Sequence, residues 1–344
     1  MKSVRVLLIA AVAVALGGVA YFAEEQKSTG TRMTEAAQKL LESLSAEQKQ
    51  KATFAFDDKE RVNWIYVPVQ DKEKRPGRKG LRLEEINEEQ KKAVLELLRS
   101  GTSESGFSQA VTIMSLESVL RDLEMNGAMV RNPGWYFVTI FGTPAKTGNW
   151  GWRIEGHHLS LNFTVKDGQV ASATPAFFGA NPAEIKSGDK KGQRTLGDVE
   201  EAAKTLVESL NAEQLKLAGQ AKHFGEFKQH ESEEKPGPAV GLPASKMTAA
   251  QKDLLAKLLK AYTNRMPATI AAAQWKSVDE GGLDNVYFAW TGKSVAGQAH
   301  TYRVQGPTFL VQLLNVQDDS AKNPANHIHS AWRELPSDFA LTAK

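Results

Sequence analysis

The sequence contains no cysteine. Disulfide frameworks, iron–sulfur clusters, cysteine-bound zinc and thiol nucleophiles are therefore excluded. Any metal must be held by His, Asp, Glu or backbone oxygen. Histidine is also scarce, with seven in 344 residues. Neither sign of charge dominates, since 43 Lys and Arg stand against 40 Asp and Glu, a formal net charge of +3. A chain with so little basic excess is a poor nucleic-acid partner. No Gly-x-Ser-x-Gly elbow, Walker loop, dinucleotide fingerprint or His-Glu-x-x-His helix occurs, which removes weight from serine hydrolases, nucleotide enzymes and the common zinc proteases. What remains is a globular composition, 41% hydrophobic and 24% charged, long enough for two ordinary domains or one large one.

The one long apolar run lies at the start. Lys2 and Arg5 precede VLLIAAVAVALGGVAYFA, from Val6 to Ala23, which stops at Glu24-Glu25. Positive, then apolar, then small is the order of a secretory signal, with Gly18-Val19-Ala20 as a small-x-small cleavage site. Uncleaved, the same run is just long enough to anchor the chain in a membrane. Residues 1–23 are thus expected to be a signal peptide or N-terminal anchor, the rest being periplasmic or secreted. Loss of Lys2 and Arg5 leaves a net charge of +1.

The remainder reads as a diverged duplication. AAQKLLESLSAEQKQKA from Ala36 aligns with AAKTLVESLNAEQLKLA from Ala202, identical at ten of 17 positions. Four further segments match in the same order: those beginning at Gly80 and Gly241, Tyr136 and Tyr287, Trp152 and Tyr302, and Gly179 and Ala321. Two units are expected, 32–185 and 196–340. Ser45-x-x-Gln48, Asn87-x-x-Gln90, Asn211-x-x-Gln214 and Thr248-x-x-Gln251 each predict a capping box opening a helix. Val94, Leu97 and Leu98, like Leu255, Leu258 and Leu259, supply an apolar stripe at helical spacing. Leu159, Leu161, Phe163 and Val165 alternate with Ser160, Asn162 and Thr164, which predicts a half-buried strand. Asp167-Gly168 predicts a hairpin turn. The fold class expected is α+β: two tandem repeats, each helices followed by antiparallel strands, related by a pseudo-twofold axis. The stretches near Lys72–Lys79 and Glu231–Pro243 read as surface loops.

Two histidine groups stand out. In Glu155-Gly156-His157-His158, read as a strand, His157 shares the apolar side with Leu159 and His158 the polar side with Ser160. His158 is then the better ligand and His157 the better core or supporting residue. In Asn326-His327-Ile328-His329, an extended chain points both imidazoles to one face, roughly 6–7 Å apart, close enough to share an ion at about 2.0–2.1 Å. Both groups are missing from the opposite copy, where Pro307-Thr308 stands for the histidine pair. A site of His327, His329 and a histidine of the 157–158 pair would suit zinc or copper and, with an open position for water, hydrolysis. Glu155 is the first candidate acid or base, with Glu334 behind it. Arg153 and Arg333 are candidate receptors for an anionic substrate group. A binding protein for a metal or small ligand is the rival reading. Trp150, Trp152 and Trp332 read first as core, and His223, His230 and His300 as surface residues.

WGWRIEGHHLSLNFTV, FFGANPAEI, YRVQGPTFLVQLLN and ANHIHSAWRE together resemble the bacterial domain of unknown function family 3500, over roughly Glu35 to Phe339. That family is uncharacterised. The resemblance implies that Glu155, His157, His158, Asn162, Asn326, His327, His329, Trp332 and Arg333 belong to its signature blocks.

Overall fold

The structure, a computed structural model, describes residues 29–341 apart from Asn126 and Ala296. The predicted leader, 1–23, lies outside these residues. No described helix is long and apolar enough to cross a membrane.

The first half opens with helix α1 (29–43) and continues through α2 (Ala46–Ala52), β1 (Thr53–Phe54), β2 (Leu81–Arg82), α3 (Glu88–Gly101) and α4 (Glu104–Glu124). Strands β3 (Phe137–Phe141), β4 (Asn149–Gly156), β5 (Leu159–Lys166), β6 (Gln169–Ser172) and β7 (Ala176–Ala180) follow. The second half comprises α5 (Gly197–Glu208), α6 (Ala212–Ala218), β8 (Leu242–Pro243), α7 (Ala249–Thr263) and α8 (Ala268–Gly281), then β9 (Tyr287–Gly292), β10 (His300–Gln305), β11 (Phe309–Gln317) and β12 (His327–Glu334).

All four capping boxes form, with Ser45, Asn87, Asn211 and Thr248 each accepting from the backbone of the glutamine three residues on. The glutamines do more than cap. Gln90 Nε2 donates to Gln48 Oε1 at 2.9 Å and to the Ser43 carbonyl. Gln251 does the same to Gln214, at 2.9 Å, and to the Ser209 carbonyl. In each half two helix starts are tied together through one amide pair, fully buried in the second half.

The strands form one mixed sheet rather than two. Its order is β1-β3-β4-β5-β7-β12-β11-β10-β9-β8, with β2 on β3 and β6 on β5. All pairings are antiparallel except β1 with β3. The halves meet where β7 pairs with β12, Gly179 lying opposite His329.

One face carries the apolar core under the helices. Trp152 stacks on Phe163 at 4.3 Å, beneath Leu97 and Leu98. Gly101 lets α3 come this close, because a Cβ there would stand 2.7 Å from the Trp152 ring. The opposite face corrects the expectation of half-buried strands: Ser160, Asn162 and Thr164 are buried as well. Irregular segments, 55–80 and 219–241, cross this face. Backbone without regular pairing needs partners when buried, and the polar side chains of the sheet supply them. Arg153 donates to the Glu60 carbonyl, Gln312 to Gly225, and Arg333 to Glu231.

Candidate metal centre

The site lies on the loop-covered face, where the β4–β5 turn overhangs the start of β12. Gly156 and Leu159 are the last paired residues, so His157 and His158 form the turn itself. This corrects the extended reading of that pair. His158 has φ +64°, a conformation that normally falls to Gly or Asn. Its backbone is held on both sides: its N–H donates to the Tyr66 carbonyl at 2.8 Å, and its carbonyl accepts from Gly179 at 2.8 Å. A Cβ on Gly179 would come within 2.9 Å of the Ile328 carbonyl and 3.1 Å of the His158 ring. Only glycine leaves this space.

His327 and His329 are extended on β12 and project to the same side as expected, their rings 4.8 Å apart. His158 Nε2 is 2.8 Å from His327 Nε2 and 3.3 Å from His329 Nε2. Each of the three residues offers a nitrogen within 4.8 Å of the other two. Imidazole nitrogens bound tetrahedrally at about 2.0–2.1 Å from one ion stand about 3.3 Å apart. The geometry can therefore hold a metal ion.

Protonation agrees. Burial holds His158 well below the usual imidazole range, reinforced by His157, His327 and His329. Burial and the His329 and His157 charges push His327 down to about 2. Neutral imidazoles present lone pairs, the form a metal needs. Two such lone pairs cannot face each other at 2.8 Å unless a proton or cation lies between them.

The outer partners orient the rings. His329 Nδ1 donates to Glu226 Oε2 at 2.7 Å, which turns Nε2 inward. Burial alone would raise Glu226, but hydrogen bonds from His329, Tyr66 and Gln317 keep it below its ordinary value. Asn181 lies 3.4 Å from His327 Nδ1. His157 is outside the ligand triad: its Nδ1 donates to Glu117, and its ring lies over His158 at 3.7 Å between centroids.

The structure places the other candidates away from the triad. Arg153 donates to Glu60 Oε1 at 2.7 Å and lies 3.2 Å from Glu155. Arg333 pairs with Asp338 at 2.5 Å and Glu234 at 2.9 Å, over the Trp64 ring. Arg333 stands four residues along β12 from His329, about 13 Å, Arg153 lies on β4 five residues before His158, and each is committed to internal ion pairs. Glu155 is fully buried and accepts from the Ile65 N–H at 3.0 Å. Burial raises it, against the pull of Arg153 and Arg78, and no site histidine is among its partners. Glu334 sits at the far end of β12. His300, expected at the surface, is buried against Trp290, its Nε2 3.1 Å from Glu200. His223 and His230 are exposed.

Glu226, Glu117, Asn181 and Gly179 were missed as site residues. Glu226 lies 103 residues from its histidine, in a segment without periodicity. The positive-φ turn gave no warning, because neither of its residues is Gly or Asn.

No curated protein and no solved structure matches the chain. One family model does, over residues 26–341, nearly its whole length, and spans all three converging histidines. The chain belongs to the family described as "Protein of unknown function (DUF3500)".

Proposed function

We propose that this is an exported metal-binding protein that holds one divalent transition metal, zinc or copper, on His158, His327 and His329. The observation that carries the proposal is the convergence of three imidazole nitrogens, two from buried residues and one from a half-buried residue, on one point. The donor set is all imidazole, which suits both metals. Glu226 supplies the anionic partner that such a set lacks in its first ring of contacts. Export rests on the leader-like order of residues 1–23.

The test is elemental. Purified protein incubated with zinc or copper and desalted holds close to one ion per chain, and the double variant His327→Ala, His329→Ala holds none. Wild-type protein that stays metal-free overturns the proposal.

Hydrolysis is the second reading, favoured by the count of ligands. Three histidines leave a position for water, and His157 is turned towards Glu117 instead of closing the set. In this reading metal-loaded protein cleaves a simple ester or phosphoester, and the double variant does not. A loaded but inactive protein leaves the binding function alone.

The proposal also takes the chain as a duplicated unit with a pseudo-twofold axis at the β7–β12 seam. The strand order β3-β4-β5-β7 mirrored by β9-β10-β11-β12 supports it, as do the matching glutamine pairs. The ion would then join a turn of one copy to a strand of the other.

A further inference from the structure

A cavity of about 250 Å³ opens at the other end of β12, between α8, β6 and the β10–β11 turn. It exceeds the roughly 150 Å³ that suffices for benzene. Its apolar walls include Ile270, Val170 and the stacked pair Trp332 and Phe309, with ring centroids 4.9 Å apart.

Two polar groups in the wall are unspent. Glu334 accepts from the Ser172 hydroxyl at 3.0 Å and from the Thr174 hydroxyl, and the charge of Asp338 repels it. No Lys, Arg or His among the described residues lies within ion-pair distance of it. Asp338 itself is committed to Arg333. The Gln274 side chain is buried, its Oε1 has no partner, and its amide bonds to no described residue. An amide so placed can turn either end to a guest. A carboxylate lining an apolar cavity without a cation is costly unless something pairs with it.

The geometry points to a second binding site here, for a small organic amine whose ammonium pairs with Glu334 and whose apolar body lies against Trp332 and Ile270. The guest is a single primary or secondary ammonium of about ten heavy atoms or fewer, given the volume. Neutral analogues lose the charge-assisted hydrogen bond and so most of the affinity. Metal ions are not the occupant, since one carboxylate and an amide make a poor ligand set. The site uses no residue of the histidine triad and stands independently of the function proposed above.

The experiment is calorimetric titration at pH 8, where Glu334 is ionised although burial and Asp338 push it up to about 7. The probes are benzylamine and its neutral counterpart benzyl alcohol. The expected result is saturable binding of one benzylamine per chain, at least about tenfold tighter than benzyl alcohol. Glu334→Gln should weaken it by at least about tenfold and Gln274→Leu by less. The double variant His327→Ala, His329→Ala should bind benzylamine like wild type. The proposal fails if wild-type protein binds no benzylamine, if the alcohol binds equally well, or if Glu334→Gln leaves binding intact. Glu334→Gln removes an unpaired carboxylate rather than a packing group, so retained folding by circular dichroism makes its result decisive.

Discussion

The two ends of β12 are built on the same plan and carry opposite chemistry. At its start the strand meets a hairpin turn of the first half, His157-His158, and at its end a hairpin turn of the second, where Leu335 donates to the Thr308 carbonyl. At the first end three imidazole nitrogens converge. At the other, a carboxylate faces a cavity with no cation to hand. Both lack positive charge, one in a form that suits a metal ion and the other in a form that suits an ammonium. The difference comes first from the strand's own residues, two histidines at one end and Glu334 at the other, and then from the turn that meets each end. The first turn adds the third imidazole, His158, whereas the second adds only a wall residue, Thr308.

The comparison can be broken most forcefully at Arg333. Truncation to alanine leaves Asp338 and Glu234 unpaired in buried surroundings and should cost about 3–5 kcal/mol in urea denaturation. If zinc affinity at the distant triad falls as well, the two ends are coupled and the contrast between them is too simple.

Next in size is a pH effect confined to the Glu334 end. Its folded pKa, about 7, exceeds the ordinary value of 4.5. The native state therefore keeps a proton that the unfolded chain releases. The contribution is fully present below pH 4.5 and is lost as pH rises to about 7, by up to roughly 3 kcal/mol. The difference in stability between wild type and Glu334→Gln, followed from pH 4 to 8, should show this loss. A constant difference would mean that the carboxylate is already compensated.

Zinc sharpens the comparison from the other side. At a hundredfold excess over Kd, zinc should raise unfolding free energy by about 2.7 kcal/mol. The gain should persist in Glu334→Gln and vanish in His327→Ala, His329→Ala. Smaller still is the effect of Glu226→Gln, which keeps the shape beside His329 but removes the anion. Zinc should then bind about 10–100-fold more weakly, as read by competition with a chelator. Unchanged affinity would reduce Glu226 to a packing role.

Legibility in the sequence followed distance along the chain. The capping boxes were readable because donor and acceptor are three residues apart, and all four form. The His-x-His pair was readable because strand alternation is local. The burial of Ser160, Asn162 and Thr164 was not, since it depends on segments 55–80 and 219–241, which lie elsewhere in the chain and have no period. The His157-His158 turn was hidden because its geometry runs against the usual preference for Gly or Asn at positive φ. Arg153 and Arg333 were read as receptors for a substrate, but the sequence could not show that Glu60, Asp338 and Glu234 already engage them.

His158 and His327 stand 169 residues apart in the chain. A single ion between them would close a loop spanning half the protein, restricting the unfolded ensemble far more than a short-range tie does. A secreted protein commonly obtains such closure from a disulfide. This chain has no cysteine to make one, and its histidines would supply a cross-link that opens and closes with the supply of metal and is indifferent to oxidant.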